Sequence, residues 1–435
     1  MLMYKNSLNN KLNGPGKILT YYLYFTLAFF IIAPFEVYYI NYLKTILYSI
    51  FSWLLFAIGY FKSKNYKTDK KINKIISINT NQLVFLLSII IIILNLSYIL
   101  SLGYSLNLTN IINSLRDFGE AYFSKWEIAK DLQFSKNISV QIYTITASIN
   151  LLNVPIGILN WNKLRSLTKI VLSFSMFMRM ILGYLTGTLI NIFVVIIEVI
   201  ICIYALFMLD ILPKKKKIIM IYFIFVLLLI FVILGTKAMI DRADYLGWAP
   251  WQGLQRWYYN PNNILTPILG NKISFGLNSF LWYFGHGYEG LGQCLELPFV
   301  WTYGIGHSRA LMEYADQYLG WSWILDRHYL WRNYKVTGRH PLMYWPTALV
   351  WIAADVTFIG VFIVLFWIGR FTKRLWLEIL ERGNPISLAL FIRLVILIIF
   401  LPMNMQIFQG RIMWWGSIGI ILFWLINKKV LLIFR

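Results

Sequence analysis

Several apolar runs in this chain are long enough to cross a lipid bilayer, and they constrain its fold more than any other feature. A membrane helix needs about 20 apolar residues, because each residue advances the helix by only about 1.5 Å. Of the 435 residues, 59% are hydrophobic and only 13% are charged, too few to surround one core with a water-compatible surface. The sequence therefore predicts an all-α polytopic membrane protein. A membrane barrel would instead show short segments of alternating polarity.

The lengths of the apolar runs predict ten spans. Their approximate bounds are residues 18–34, 43–61, 83–102, 139–158, 169–186, 188–210, 218–236, 349–369, 386–403 and 413–426. The fifth is the weakest, because Arg179 falls inside it. The first has no clear small-residue cleavage site and is interpreted as a retained span. The chain thus divides into residues 1–236 with spans one to seven, a large loop in residues 237–348, and residues 349–435 with spans eight to ten.

Basic residues in the short loops orient the spans. One side holds Lys62, Lys64, Lys67, Lys70, Lys71, Lys74, Lys163, Arg165, Lys214, Lys215, Lys216, Lys217, Arg370, Lys373 and Arg374. Basic loops stay in the cytoplasm, so this side and both termini are predicted to be cytoplasmic and the large loop periplasmic. The net charge of +22 reflects this topology. It does not indicate a nucleic-acid partner, because the lysines are scattered over separate loops.

The large loop concentrates the residues with the richest chemistry. The segment of about 110 residues between Lys237 and Val350 holds nine of the 18 tryptophans, eleven tyrosines, six arginines, seven carboxylates and all four histidines, His286, His307, His328 and His340. No other segment has a comparable composition. We therefore expect the functional site in this loop.

Arginine is preferred to lysine in the predicted outer segments. They contain six lysines and nine arginines, namely Arg116, Arg179, Arg242, Arg256, Arg309, Arg327, Arg332, Arg339 and Arg411. The planar guanidinium binds two carboxylate or phosphate oxygens at once, so some of these side chains are expected to contact a ligand. Structural ion pairs and lipid headgroups are the alternative for each one. Asp241 with Arg242, and Asp326 with Arg327, are expected to pair locally.

The aromatic residues of the loop have two interpretations. Those next to the spans are typical of an interfacial belt: Trp248, Trp251, Trp257, Tyr258, Tyr259, Tyr344, Trp345 and Trp351. Those far from either end are Trp282, Tyr283, Tyr288, Trp301, Tyr303, Trp321 and Trp323. An aromatic face beside polar groups suits a sugar ring. Alternatively, residues 273–284 and 321–325 are amphipathic helices lying on the membrane.

A glycine-rich string in the loop resembles a known family. Residues 285–291 read Gly-His-Gly-Tyr-Glu-Gly-Leu, and residues 297–308 read Leu-Pro-Phe-Val-Trp-Thr-Tyr-Gly-Ile-Gly-His-Ser. Together with Arg309 and Gly320, which ten residues separate, they resemble the large periplasmic loop of Wzy-type O-antigen polymerases. A second such element near Arg179 is partial, because Ile190 stands where glycine is expected. Glu289 also replaces an expected aromatic residue.

This resemblance implies a membrane glycosyltransferase with a GT-C-like architecture in a bacterial inner membrane, with its active site facing the periplasm. Its substrate would be an oligosaccharide repeat unit on undecaprenyl pyrophosphate, and its partners membrane lipids and a chain-length regulator. Cations stabilise the leaving pyrophosphate, and a positioned base takes the acceptor proton. The expected catalytic residues are Arg309, Glu296 and His307. The expected substrate-binding residues are Arg116, Arg179, Arg242, His286, Tyr288, Trp301 and Tyr303.

No metal or other cofactor is expected. The histidines are widely spaced, and the two cysteines, Cys202 in a span and Cys294 in the loop, are isolated. We expect no disulfide between them, and we expect Cys294 to react with a polar maleimide. Two other functions remain open. An O-antigen ligase uses similar donors, and a flippase or other transporter of lipid-linked oligosaccharides would carry charged residues in its spans.

Overall fold

The computed structural model describes residues 2–37, 40–63, 74–104, 112, 116–131, 137–211, 213–247, 257–341 and 344–434. Seven residues of the sequence-based interpretation lie outside these ranges: Lys64, Lys67, Lys70, Lys71, Trp248, Trp251 and Arg256.

The described part is a helical bundle. In chain order the helices are α1 Leu2–Ile32, α2 Tyr42–Phe61, α3 Thr80–Ser101, α4 Phe118–Asp131, α5 Ile138–Ile145, α6 Ala147–Leu159, α7 Ser166–Leu185, α8 Leu189–Met208, α9 Lys214–Tyr245, α10 Thr266–Trp282, α11 Gly287–Cys294, α12 Arg309–Leu319, α13 Ile324–Arg327, α14 Tyr329–Thr337, α15 Ala348–Arg382, α16 Pro385–Phe400 and α17 Arg411–Lys429. Several helices begin at an asparagine whose side chain accepts a backbone N–H of the first turn, as Asn41 does from Lys44 at 3.0 Å.

The number of membrane spans differs from the predicted ten. Within the described residues, seven helices are long and apolar enough to cross a membrane. The count rises to eight if α5 and α6, which meet at an angle of 44°, form one broken span. The predicted ninth and tenth spans coincide with α16, a shorter apolar helix, and α17, which falls outside that group. These helices are consistent with an all-α polytopic membrane protein, whereas the count of ten is not confirmed.

The burial of the helices shows where the centre of the bundle lies. Helix α16 is buried on all sides, from Pro385 through Ile398. Helix α9 is mostly exposed instead, because only 11% of its most apolar 18-residue segment is buried inside the protein. A helix that is apolar all round and exposed at this level is suited to contact lipid. Helix α16 therefore forms the core of the bundle, and α9 lies at its edge.

Contacts distant in sequence join segments that the charge pattern assigns to one side. At one end, Lys11 pairs with Asp210, and Lys373 donates to the carbonyl of Leu12 at 2.6 Å. There, strands β2 (Lys74–Ile78) and β4 (Val430–Phe434) pair in parallel. At the other end, strands β1 (Phe35–Val37) and β3 (Trp257–Tyr259) pair in an antiparallel manner. The described segments therefore group into the same two sides that the basic residues predict.

The large loop is helical and packs on the bundle. Helix α9 continues to Tyr245, beyond the predicted end of the seventh span at residue 236. Tyr288, Leu291 and Met312 of the loop belong to the same hydrophobic core as residues of α2, α15 and α16. Ring stacking continues this contact, since Trp282 lies 5.8 Å from Phe30 of α1. This end of the loop therefore shares its apolar packing with the membrane helices.

Candidate functional site

A cavity of about 1060 Å³ lies between helices from both halves of the chain. Its walls include Tyr98, Gln141, Tyr143, Asn150, Arg179, Asn191, Glu313, Tyr314, Tyr318, Arg393, Gln406, Gln409, Arg411, Trp414 and Trp415. This volume is at the upper end of the range of about 300–1,000 Å³ that small-ligand sites occupy. Only α12 represents the large loop. Most of the wall comes from α5 to α8, α16, α17 and the segment before α17.

Arg179 lines this cavity and is neutralised by a buried carboxylate. The structure places it within α7, where its guanidinium binds both oxygens of Glu198 at 2.7 and 3.0 Å. The Glu198 side chain is only 1% exposed. The two terminal nitrogens of Arg179, which were predicted to bind a ligand, are therefore bound to Glu198. Arg179 therefore serves first as one half of a structural pair between α7 and α8.

Arg393 is the second buried arginine of the cavity, and it lies in the middle of the apolar helix α16. One terminal nitrogen donates to the carbonyl of Met413 at 2.9 Å and to Ser417 Oγ at 2.8 Å, both neutral acceptors. Its Nε makes no hydrogen bond, and no carboxylate of a described residue lies within salt-bridge distance. The side chain is 1% exposed. An arginine so deeply buried without a contacting carboxylate is costly unless something else supplies negative charge.

Glu313 joins two further arginines at the wall. Arg309 Nε donates to Glu313 Oε1 at 2.7 Å, and Arg411 Nε lies 3.4 Å from Glu313 Oε2. Arg411 also stacks over the Tyr314 ring, 4.7 Å from its centroid. These side chains are each about one-third exposed. Arg309, the predicted catalytic cation, thus contacts a carboxylate that lines the cavity.

Aromatic rings form much of the remaining wall. Tyr98 and Tyr143 are stacked with centroids 4.3 Å apart, and Trp415 Nε1 donates to Tyr314 Oη at 3.0 Å. The cavity wall also contains amide side chains, and in Gln409 and Asn150 some buried amide atoms make no hydrogen bond to any described residue. Aromatic faces mixed with amides and cations can bind a ligand that has both a ring and charged groups.

A histidine–aspartate pair lies beside this wall. His307 Nδ1 is 2.9 Å from Asp355 Oδ2, and the His307 side chain is 34% exposed. Asp355 also accepts from the backbone N–H of Gly306 and of His307 and from Thr302 Oγ1. Three N–H groups point at Asp355, and Thr302 Oγ1 can give its one hydrogen either to Asp355 or to the Ala354 carbonyl. When Nδ1 of the neutral ring donates to Asp355, Nε2 is the nitrogen that can accept a proton. The His307 ring packs edge-on against Phe408, the neighbour of Gln409.

Asp355 is placed by a break in α15. Thr357 has φ 67° and ψ 164°, so the helix is interrupted two residues after Asp355. The interruption frees the carbonyl of Ala354, which accepts from Thr302 N at 3.2 Å and Thr302 Oγ1 at 2.7 Å. A β-branched residue at positive φ is a strained outlier of the kind found at functional sites. The strained turn thus docks the Thr302–His307 loop onto α15.

His328 positions the same loop from the other side. Its Nε2 bonds to the carbonyl of Gly306 at 3.0 Å, while its Nδ1 accepts from Leu330 N–H at 3.1 Å. Burial lowers the pKa of His328 to about 4, so the ring stays neutral near pH 7. The predicted importance of this histidine is therefore structural support for the His307 loop.

The spacing of Arg309 and Gly320 has a structural cause. Ser308 caps α12 by accepting Leu311 N–H at 3.3 Å, and Arg309 is the first helical residue. Gly320 ends the helix with a left-handed φ of 68°, which glycine adopts without steric cost. The two residues therefore mark the ends of one short helix, and that helix carries Glu313, Tyr314 and Tyr318 to the cavity.

The glycine-rich string packs helix α11 into the core. A Cβ added at Gly287 would lie 2.2 Å from the carbonyl oxygen of Pro402, so the absence of a side chain permits close backbone packing. Tyr288 is fully buried, and its hydroxyl lies 2.9 Å from Thr26 Oγ1. His286 is also buried, and burial together with Arg339 lowers its pKa to about 3. The missing side chain at Gly287 therefore serves the packing of the protein's own backbone.

Glu289 and Arg339 form a second buried pair in this region. Their side chains are 1% and 5% exposed and are in direct contact. Gln293 donates to Glu289 at 3.1 Å, and Asn333 donates to Gln293 at 2.9 Å. This chain of polar contacts joins α11 to α14.

Trp301 and Tyr303 form an exposed platform with Trp323. The Trp301 and Tyr303 ring centroids are 4.7 Å apart, and Arg327 lies 5.2 Å over Tyr303. Each of the three rings is more than 40% exposed. They do not line the cavity. An open aromatic surface of this kind can contact a sugar ring or an interfacial lipid.

The other predicted residues lie away from the cavity wall. Glu296 is 55% exposed and pairs with Lys44 at 2.9 Å. Arg116 is exposed, and its carbonyl accepts from Lys237. Arg242 donates to the carbonyl of Gly187 at 2.8 Å and lies 4.0 Å over Tyr122. The predicted local pairs are wrong, because Asp241 pairs with Lys237 and Asp326 pairs with Lys335.

Both cysteines are buried and unpaired. Cys202 lies in α8, and Cys294, at the end of α11, is fully buried. Burial raises the pKa of the Cys294 thiol to about 12, which suppresses the reactive thiolate. The predicted labelling of Cys294 by a polar maleimide is therefore not expected. In the part of the chain that the structure describes, no cluster of three or more histidine, cysteine or carboxylate side chains could hold a metal ion.

Comparisons with known proteins returned no match. No family model, curated protein or solved structure matches this chain.

Proposed function

We propose that this protein transfers a glycan from one lipid-linked oligosaccharide to another, as a polymerase of O-antigen repeat units. The observation that carries the proposal is the cavity between the membrane helices, which combines arginine side chains with aromatic rings. The His307–Asp355 pair does not line this cavity, but the His307 ring contacts Phe408, the neighbour of the lining residue Gln409. The donor is a glycan on a polyprenyl pyrophosphate, and the acceptor is the terminal sugar of a second unit. The local resemblance of residues 285–309 to the Wzy-type loop supports the same reaction.

His307 is the proposed general base. The acceptor hydroxyl oxygen attacks the anomeric carbon of the donor, the bond from that carbon to the pyrophosphate oxygen breaks, and the hydroxyl proton passes to His307 Nε2. Asp355 orients the ring and stabilises the imidazolium that forms. Glu296, the other expected base, is less suited because it is solvated and paired with Lys44.

The leaving pyrophosphate carries the negative charge that develops during the reaction. Arg411 and Arg309 flank Glu313 at the cavity wall, where guanidinium groups can bind phosphate oxygens. The exposed platform of Trp301, Tyr303 and Trp323 is proposed to hold a sugar of the glycan outside the cavity. A ligase would need the same donor chemistry with a different acceptor.

Transport of a lipid-linked oligosaccharide is the second candidate function. Two observations favour it: α5 and α6 meet at 44°, and α15 is interrupted at Thr357. Broken helices and buried charges around a central cavity are typical of transporters. The His307–Asp355 pair favours the polymerase, because glycosyl transfer needs a proton acceptor for the attacking hydroxyl, whereas transport needs such a pair only when it is coupled to protons.

Deletion of the gene in its host separates these functions. A polymerase deletion should leave surface lipid A core capped with one repeat unit, because flipping and ligation still operate on single units. Loss of a ligase would give bare core with polymer retained on the carrier. Loss of a flippase would give bare core with units trapped on the cytoplasmic face of the membrane. Gel analysis of lipopolysaccharide distinguishes them, and bare core without the single-unit band would contradict the polymerase.

A further inference from the structure

We propose that Arg393 forms a binding site for a phosphate or pyrophosphate headgroup within the membrane-helix cavity. The proposal rests on the proposed function only for the identity of the headgroup, which would be that of the lipid-linked donor. The site itself follows from the burial and hydrogen bonds of the cavity residues.

The first step is the balance of charge. Four ionisable side chains other than tyrosine line the cavity: Arg179, Arg393, Arg411 and Glu313. Glu198 binds Arg179 through two hydrogen bonds and also attracts Arg393 without contacting it, so one carboxylate faces two buried arginines. Glu313 offsets Arg411 and is shared with Arg309. Arg393 therefore contributes a positive charge that no contacting carboxylate among the described residues offsets.

Several buried polar atoms at the cavity wall have no hydrogen-bond partner among the described residues. Arg393 Nε, both amide atoms of Gln409 and Asn150 Oδ1 are buried in the described structure without a hydrogen bond. All three side chains are at least nine-tenths buried and line the same cavity. Buried polar atoms are rarely left unpaired, because a buried donor or acceptor that loses its water without gaining a partner destabilises the protein. Arg393 Nε and Gln409 Nε2 are donors that suit an oxyanion, whereas Asn150 Oδ1 and Gln409 Oε1 are acceptors that suit a hydroxyl of the same ligand.

The two buried arginines of the cavity differ in the groups that bind them. Both lie in apolar helices, yet Arg179 is bound by a carboxylate and Arg393 by the carbonyl of Met413 and the hydroxyl of Ser417. Neutral acceptors hold the guanidinium in place without cancelling its charge. A charged, oriented and solvent-poor guanidinium binds phosphate more strongly than an exposed one.

The test is equilibrium binding of radiolabelled geranylgeranyl pyrophosphate to the purified full-length protein in a neutral detergent. Arg393→Met should weaken binding at least tenfold, and Arg393→Lys should recover part of it. Arg370→Met is the matched control, because Arg370 is an exposed arginine stacked 5.3 Å over Trp367. The affinity of the Arg370→Met variant should equal that of the wild type. Gln409→Leu should weaken binding several-fold while leaving the hydrogen bonds of Arg393 in place.

Competition identifies the source of the phosphate. Displacement by inorganic pyrophosphate would support a site for the free anion, and displacement only by phosphatidylglycerol micelles would support a lipid headgroup. Geranylgeraniol, which lacks the charge, should not compete. Wild-type affinity of a folded Arg393→Met variant, or equal binding of geranylgeraniol, would overturn the proposal. Should Arg393→Met fail to fold, wild-type affinity of Gln409→Leu would overturn it as well.

This experiment is independent of the deletion strain. Loss of binding in Arg393→Met together with bare core in the deletion strain would keep the anion site and remove the polymerase. Normal binding in that variant together with the single-unit band would do the reverse.

Discussion

At the scale of single residues, the contacts of a side chain decide its role more than its type does. Asp355 accepts from three N–H groups and orients His307, whereas Glu198 is bound by Arg179 and Glu296 is solvated beside Lys44. Three carboxylates thus receive three different roles. The first two predictions test these roles directly.

The first residue-scale prediction concerns the His307–Asp355 pair. His307→Gln should lower polymerisation by about 10²- to 10⁴-fold, the usual contribution of a general base. Asp355→Asn should also lower it, because an amide cannot hold the ring in the tautomer that leaves Nε2 unprotonated. The measurement is the chain-length distribution of lipopolysaccharide in the complemented deletion strain, with protein abundance measured on the same membranes.

Glu296→Gln provides the control for this pair. It removes an exposed carboxylate that contacts only Lys44 among the described side chains, so chain length should stay close to that of the wild type. A full loss of polymer in Glu296→Gln, with His307→Gln active, would reassign the base to Glu296.

The second residue-scale prediction concerns Arg179 and Glu198. Arg179→Met should destabilise the protein by about 3–5 kcal/mol, because it leaves a carboxylate buried without its partner. Replacing both residues by methionine should restore most of the lost stability. Membrane abundance and the melting temperature in detergent report the effect. If Arg179→Met kept wild-type stability but lost activity, Arg179 would contact the ligand as the sequence alone predicted.

At the scale of secondary-structure elements, the interruptions of the helices build the site. The break in α15 frees the carbonyl of Ala354 and places Asp355 under the Thr302–His307 loop. A continuous helix would use that carbonyl internally and leave no acceptor for Thr302. The short helix α12 then carries Glu313 and its aromatic neighbours to the cavity.

The element-scale prediction concerns the strained residue Thr357. Thr357→Gly should be more stable than Thr357→Ala by about 1–3 kcal/mol, because only glycine adopts φ 67° and ψ 164° readily. Both variants lose the hydroxyl that accepts Gly360 N–H, so the comparison isolates the backbone. In a continuous helix the order would be reversed, with alanine favoured by about 1 kcal/mol. Melting temperatures of the two purified variants therefore test the break itself.

At the scale of the whole molecule, two sets of contacts hold the ends of the bundle. Lys11 with Asp210, Lys373 with Leu12, and the β2–β4 pair lie at the end predicted to be cytoplasmic. The β1–β3 pair and the described part of the large loop lie at the other end. The absolute orientation remains a prediction of the charge pattern.

The whole-molecule prediction tests that orientation. In a background with Cys202→Ser and Cys294→Ser, a single cysteine at exposed Ser322 of the large loop should react with an impermeant maleimide in spheroplasts. A single cysteine at exposed Lys62 should react only after permeabilisation. The reverse pattern would invert the topology. The native protein should stay unlabelled in both preparations, since both of its thiols are buried.

The sequence by itself determined the class of protein and the grouping of its loops. Apolar length is a sum over neighbouring residues, so each predicted span coincides with a described helix or, for the fourth, with the α5–α6 pair. The count of ten is not confirmed, because α16 is shorter than a full span and α17 falls outside the group of long apolar helices. The spacing of Arg309 and Gly320 also follows from the local sequence, because Arg309 is the first residue of helix α12 and Gly320 caps the end of the same helix.

Only the tertiary structure decided which of these residues meet. His307 and Asp355 are 48 positions apart, and Asp355 lies in a predicted span where the sequence analysis did not consider it. The sequence signal for Asp355 is a carboxylate within an apolar run, just as Arg393 is an arginine within the apolar helix α16. Whether a buried arginine is neutralised depends on how helices pack. That packing paired Arg179 with Glu198 and left Arg393 facing the cavity without a contacting carboxylate among the described residues.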